Sequence, residues 1–288
     1  MYNAYMNRLS IERQAQVISA LVEGNSIRST ERMTGIHRDT IMRLTVRIGD
    51  ACDRLMDETM RGLTCEHLQL DELWGYVGMK QKTAHRLGKV GEYGDVYTFV
   101  ALDAQTKLIP AFHIGHRDAE NTRLFIHDLK QRIVNRPQIT TDAYQAYFGA
   151  IIRYFGQDVD YAHEQKVFAS ELNSGRGRYS PPVLTSCDKQ NLIGDPDPAH
   201  ISTSYVERQN LTIRMSMRRF TRLTNGFSKK RENMVAALCL HFAHYNFCRT
   251  HKTLKTTPAV AHGLENHIWS IEEMLFNVAA TQQPEISN

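Results

Sequence analysis

The sequence predicts an α/β protein with an all-α head, a mixed-sheet core and a C-terminal helical segment. Three observations carry that expectation. Residues 10 to about 48 hold apolar positions at helical spacing, punctuated by Ser10, Ser26 and Gly35. From about Leu68 the pattern changes to short strand-like runs separated by turn-rich pieces. Beyond Asp118, helical and strand-like segments alternate, which implies helices packed on the faces of a mixed sheet.

In chain order, Ser10 caps a helix over Ile11 to Glu23, and Gly24-Asn25 ends it. A short helix follows from Ser26 to Met33, Thr34-Gly35 turns the chain, and a third helix runs from His37 to about Ile48. This is the plan of a helix-turn-helix, whose third helix presents Arg38, Thr40, Arg43 and Arg47 to nucleic acid. A helical packing domain is the plainer alternative, because Glu12, Glu23, Glu31 and Asp39 nearly balance those arginines. Residues 50 to about 66 read as a helical linker interrupted at Gly62, so residues 1–62 form the expected head.

The core is expected over 63–231. LQLDELWGYVG around Asp71, VYTFVALD ending at Asp103 and KLIPAFHIG ending at Gly115 are close enough to form an antiparallel meander. Asp118 caps a helix through about Val134, stopped by Asn135-Arg136-Pro137. QITTD is a strand ending at Asp142, AYQAYFGAIIRYFG a helix and VDYAHEQKVF another strand. Residues 170 to about 202 mix Gly, Pro, Ser and Asp without period and read as a long loop. In the extension, 232–288, RENMVAALCLHFAHYNFCR continues as an amphipathic helix, TPAVAHG and SIEEMLFNVAA are short helices, and QQPEISN is a frayed tail.

With 288 residues, 42% of them hydrophobic and 23% charged, the chain has material for about two globular domains. No apolar run approaches about 18 residues and the first residues lack a signal-peptide build, so a soluble, cytoplasmic protein without membrane contact is expected. The five cysteines form no C-x-x-C pair, which argues against zinc or a disulfide framework. His241, His244 and His251 read as helix-surface and groove residues. From Thr203 to Lys255 the only acids are Glu207 and Glu232 against a long series of bases, a surface suited to a polyanion.

Glu207 is the odd residue in that tract. Read as one helix from Thr203, Val206, Ile213, Met217 and Phe220 make an apolar stripe, with Glu207, Asn210, Arg214 and Arg218 on the neighbouring one. Ser204-Tyr-Val-Glu207 also fits a capping box, which would occupy the carboxylate at the helix start. Asp71 lies inside an apolar strand, where a charge is costly unless paired or bound to metal. Asp142 ends a strand at a sheet crevice, or merely caps the next helix. Three such acids converging on hard divalent cations favour Mg²⁺ or Mn²⁺, and two cations roughly 4 Å apart support in-line phosphoryl displacement. Glu72 should point to the opposite sheet face and play at most a supporting part. Asp103 is the acid most easily mistaken for a triad member, followed by Asp188, Asp195 and Asp197.

The segments around these acids, namely LQLDELWGYVG, TTDAYQAY, SYVERQNLTIRMSMRRFTRLTNGFSKK and YNFCRTHKTLKTTPAVAHGL, resemble the DDE-type transposases of bacterial insertion sequences, in the insertion-sequence-one-like group. The resemblance spans about 70 to 270. It implies a ribonuclease-H-like core in which Asp71, Asp142 and Glu207 form a catalytic triad binding two Mg²⁺ or Mn²⁺ ions. It also implies that Asn210 and Arg214 contact DNA at the active site, with Arg218 on the same edge. Arg249, His251 and Lys252 fit a further DNA-contacting segment, a solvated basic face being the alternative. The implied partners are double-stranded DNA, at inverted-repeat ends and at a target, and further copies of the chain on that DNA, in association with the nucleoid. Members of the group often begin with a cysteine-rich zinc element; its absence here leaves end recognition to the helical head. A non-catalytic DNA-binding regulator and a nuclease without strand transfer are the other classes that fit.

Overall fold

The computed structural model describes residues 9–169, 183–221 and 224–281. Ser10 accepts from the Arg13 amide to start α1 (Ile11–Val22), and Ser26 accepts from the Ser29 amide to start α2 (Ile27–Thr34). Gly35 ends α2 at φ 69°, a left-handed conformation that suits glycine, and His37 starts α3 (Arg38–Thr59). The expected third helix and linker are therefore one helix of 22 residues. Gly49 does not break it, because a single mid-helix glycine costs only about 1 kcal/mol.

A six-stranded mixed sheet follows: β1 (His67–Val77), β2 (Gly94–Asp103), β3 (Phe112–Gly115), β4 (Gln138–Thr141), β5 (Asp160–Ala169) and β6 (Val183–Ile193), in the order β3-β2-β1-β4-β5-β6. The first three strands form the expected antiparallel meander; β4 runs parallel to β1, and β5 parallel to β4. A short helix, α4 (Gln81–Arg86), was not anticipated. Asp118 caps α5 (Ala119–Arg132), and α6 (Gln145–Phe155) follows β4.

Part of the expected loop over 170–202 is strand. β6 pairs antiparallel with β5 at the sheet edge, while 170–182 lie outside the described residues. The side chains from Leu184 to Gln190 are exposed, so no alternation of apolar and polar residues announced the strand.

The segment from Thr203 is not one helix. Helix α7 (Ser204–Ser216) ends at Met217, which is extended at φ -120°, and Arg218–Phe220 is a separate 3₁₀ turn. Met217 and Phe220 are both buried across the break, and Arg218 no longer continues the helix of Glu207, Asn210 and Arg214.

α8 (Arg231–Ala243) continues into a π-helical turn, His244–Cys248, and α9 (Pro258–His262) and α10 (Ile271–Ala280) complete the chain. The expected tail QQPEISN lies outside the described residues. Helices α5 and α6 cover one sheet face, with Phe99 of β2 and Phe125 of α5 5.7 Å apart between ring centroids. On the other face Phe112 of β3 meets Phe242 of α8 at 4.5 Å, and the far side of α8 packs on α3. At that contact, a Cβ on Gly49 would lie 2.6 Å from the Ala236 Cα. α10 packs in turn on α1 and α3, so the N- and C-terminal helices form one hydrophobic body with the sheet.

This enclosure corrects the surface reading of two histidines: His241 and His244 are buried, and burial pushes their side chains down to about 3 and about 4. All five cysteines are free thiols. Among the described residues no helix is long and apolar enough to cross a membrane.

Candidate metal centre

The arrangement of β1 and β4 gathers the acids. In their parallel pairing Leu68 lies beside Ile139 and Gln69 beside Thr140, so the same register carried two residues further sets Asp71 level with Asp142. β4 stops at Thr141 while β1 runs on to Val77, leaving the edge of β1 open from Leu70 onward on that side.

Strand alternation holds as expected. Asp71 pairs with Val100 on the α7 face, and Glu72 pairs with Phe99 on the α5 face. Yet both side chains reach round the open edge, and Asp71, Glu72 and Asp142 each offer a carboxylate oxygen within 4.8 Å of the others. Glu72, expected to play at most a supporting part, has its carboxylate in the cluster with Asp71 and Asp142. The Asp-Glu dipeptide in an apolar strand was the available signal, and only the unpaired edge gives it meaning.

Arg117, in the turn between β3 and α5, holds two of the three acids. Its Nε donates to Glu72 at 2.9 Å and its Nη2 to Asp142 at 3.3 Å, while the guanidinium stacks on Tyr144 at 3.9 Å. Asp142 does not cap α6; one oxygen accepts from the Tyr144 amide at 3.0 Å, two residues on, and the helix begins after Tyr144.

On the α7 side, Asn210 Nδ2 donates to Asp71 Oδ2 at 2.7 Å. Asp71, Glu72, Glu207, Asn210 and Arg214 line one open cavity of about 430 Å³. Burial, and then the adjacent Glu72 charge, push Asp71 up to about 7, against the Asn210 bond that favours its charged form. Burial and the Asp142 charge also raise Glu72, with Arg117 opposing. Such crowding of acids is what a divalent cation relieves.

Glu207 lines this cavity without joining the cluster. Its Oε1 accepts from Lys166 Nζ at 2.6 Å and from Thr203 Oγ1 at 2.7 Å. Burial opposes the Lys166 charge, but the Glu207 and Glu164 carboxylates outweigh it and hold the ammonium above its ordinary value. The capping-box reading is corrected too. Thr203 is the N-cap, and Gln69 Oε1 of β1 accepts from the Tyr205 and Val206 amides at 2.8 and 3.1 Å. Gln69 thereby ties the start of α7 to β1, and Arg214 ties its end, donating to the Trp74 carbonyl at 3.2 Å.

The other acids have separate work. Asp103 is buried at the far end of the β1–β2 pairing and bonds Thr106, while Asp197 caps the turn at Pro198–His200. Of the expected DNA-contacting bases, Arg38 and Arg43 are exposed on α3, but Arg47 donates to Gln14 of α1 at 2.7 Å. Arg218, Arg249 and Lys252 are exposed; Arg249 bonds Ser216 at 3.0 Å, and half-buried His251 bonds Thr253.

The donor set fits a hard cation. It is all oxygen, three carboxylates set together at an open strand edge. No protein-family model and no curated protein matches the chain. Among solved structures, a piggyBac transposase synaptic complex with hairpin DNA aligns over 100% of this chain and 76% of the other, at 10% identity and a TM-score of 0.38. That likeness is slight, and the reading of the site rests on its own residues.

Proposed function

We propose that this chain is a DDE-type DNA transposase of the insertion-sequence-one-like kind, cutting phosphodiester bonds and joining the freed 3′ end to target DNA. The observation that carries the reading is the convergence of Asp71, Glu72 and Asp142 within 4.8 Å at an open strand edge, beside Glu207 on α7. An antiparallel meander followed by alternating helix and strand supports a ribonuclease-H-like core.

In this reading Asp71 and Asp142 hold Mg²⁺ or Mn²⁺ with Glu72 beside them, and Glu207 completes the set from α7. Bound there, the cations supply Lewis-acid stabilisation of charge at the scissile phosphate. Arg117 orients Glu72 and Asp142 from behind, and the Asn210 bond favours the charged form of Asp71 against burial and the Glu72 charge. Arg214 stands at the cavity wall to receive a phosphate. To join a bound cation Glu207 would give up Lys166, which has Glu164 at 3.3 Å as a second carboxylate.

The helical head, residues 1–62, supplies end recognition through α2, the Gly35 turn and the start of α3, with Arg38 and Arg43 toward DNA. The core spans 63–231 and the C-terminal extension 232–288. Arg218, Arg249, His251 and Lys252 extend the basic surface toward target DNA, and the active form is a multimer on paired ends, in association with the nucleoid.

The test uses end-labelled duplexes taken from the inverted repeats flanking the gene. Asp71→Asn, Asp142→Asn and Glu207→Gln each abolish cutting and joining while binding stays within a few-fold of wild type. Normal cutting by Glu207→Gln removes the DDE assignment, and cutting without joining reduces it to a nuclease.

A further inference from the structure

A second cavity, of about 770 Å³, opens away from the acids, between the N-terminal helices and the stretch from Met217 to His241. Its volume lies within the ~300–1,000 Å³ of small-molecule sites. Arg28, Arg38, Arg218, Arg219 and Lys229 line it, and no acidic residue does. Among the described residues none of the five is paired with a carboxylate. Arg219 is the telling member: among the described residues its guanidinium bonds Ser228 Oγ at 2.8 Å and meets no carboxylate, and burial lowers its pKa.

The rest of the lining is apolar or amide. Met42, Met217, Phe227 and Leu240 form a floor, and the Phe227 ring is held by Tyr76 at 4.9 Å. His241 reaches the cavity from α8; it is 3% exposed, and both ring nitrogens lack a hydrogen-bond partner. A neutral imidazole so placed offers one donor and one acceptor. The side-chain amides of Asn225 and Asn233 also line the space and make no hydrogen bond among the described residues.

An unpaired cationic rim calls for an anion, an apolar floor with an aromatic ring for a flat body, and unused donors and acceptors for polar edges. We infer that this cavity takes a single nucleotide, its phosphate on Arg219 and the neighbouring cations and its base over Phe227 with an edge toward His241. The nucleotide is either free in solution or one extruded from a DNA strand lying across the head. The inference goes beyond the proposed activity and does not need the metal centre.

Both sources are tested on the full chain without divalent cation. In one arm calorimetry compares dTMP, thymidine and inorganic phosphate; in the other, duplexes each carrying one 2-aminopurine report extrusion as a rise in fluorescence. The expected result is dTMP binding at least about tenfold tighter than either fragment, a fluorescence rise on duplex, or both; the arm that responds names the source. Arg219→Gln and the exposed double variant Arg28→Gln with Lys229→Gln each weaken that response about tenfold or more, with unchanged melting temperature. The inference is overturned if neither arm responds, if phosphate binds as well as dTMP and no duplex brightens, or if these variants respond as wild type. Asp71→Asn retains the response, so metal-dependent cutting with both arms silent sinks this inference alone. A response without any cutting sinks only the transposase reading.

Discussion

Asn210 donates to Asp71 across 139 residues of chain, at 2.7 Å, and joins the helix of Glu207 to the strand that carries the other acids. Hydrogen bonds to a charged group contribute roughly 1.5–3 kcal/mol. Asn210→Leu removes the donor, moves Asp71 further above its ordinary value and leaves a cation a more strongly held proton to displace. The magnesium concentration for half-maximal cutting is expected to rise about tenfold or more, most steeply at lower pH. A metal titration unaltered by Asn210→Leu would contradict this account.

The pH dependence of stability carries the same residue's signature. Asp71 has an ordinary value of 3.8 and sits at about 7 in the folded chain, so between those values the folded state binds more protons than the unfolded one. Its contribution therefore falls as pH rises through that window and levels off above it, by an amount on the order of a few kcal/mol. Urea midpoints measured in chelator should drop more steeply from pH 4 to 7.5 in wild type than in Asp71→Asn. Saturating magnesium should narrow the gap.

Lys166 competes with a cation for Glu207. Lys166→Met removes an ion pair whose glutamate is about half exposed, worth about 1 kcal/mol or less. Its loss is expected to lower the magnesium midpoint by up to several-fold. It also costs stability, because buried Glu164 keeps Thr203 and Cys187 but loses its cation. Unchanged metal demand would mean that Glu207 never leaves its present place.

Gly49 tests the seat of the head on the C-terminal helices. Gly49→Ala puts a Cβ against the Ala236 backbone, an overlap that neither main chain relieves without shifting, and should destabilise by about 1–3 kcal/mol or more. Chemical unfolding reads this directly. On an isolated helix the same change would stabilise, so the sign decides whether α3 and α8 touch.

Arg43 and Arg47 should separate in a salt titration of DNA binding. Exposed Arg43→Ala is expected to weaken end binding and flatten the logarithmic salt slope by about one unit. Arg47→Ala breaks the bond to Gln14 and should show mainly as a lower melting temperature. Equal loss of slope in both would return Arg47 to the DNA surface.

Much of the fold was legible because local rules acted without competition. Ser10 and Asp118 cap the helices they were expected to cap, Ser26 caps the short helix it was expected to begin, and Gly35 turns where a left-handed residue was needed. The meander followed from three strand-like runs in sequence, though the connection from β1 to β2 is long enough to carry α4. β6 was hidden because an exposed edge strand needs no apolar face, and the end of α7 was hidden because Met217 and Phe220 keep the helical apolar spacing past the point where the helix stops.

What the sequence determined by itself is the inventory: acids at Asp71 and Asp142, Glu207 set in the basic tract from Thr203 to Lys255, and much of the order of helices and strands around them. Only the tertiary structure decided which acids meet. Whether Glu72 counts depends on β4 ending early enough to bare an edge of β1, and what Glu207 holds depends on Lys166 of β5 lying beside the start of α7. Both are long-range facts, because a carboxylate's partners are set by which strands and helices lie beside it, and no local pattern encodes that.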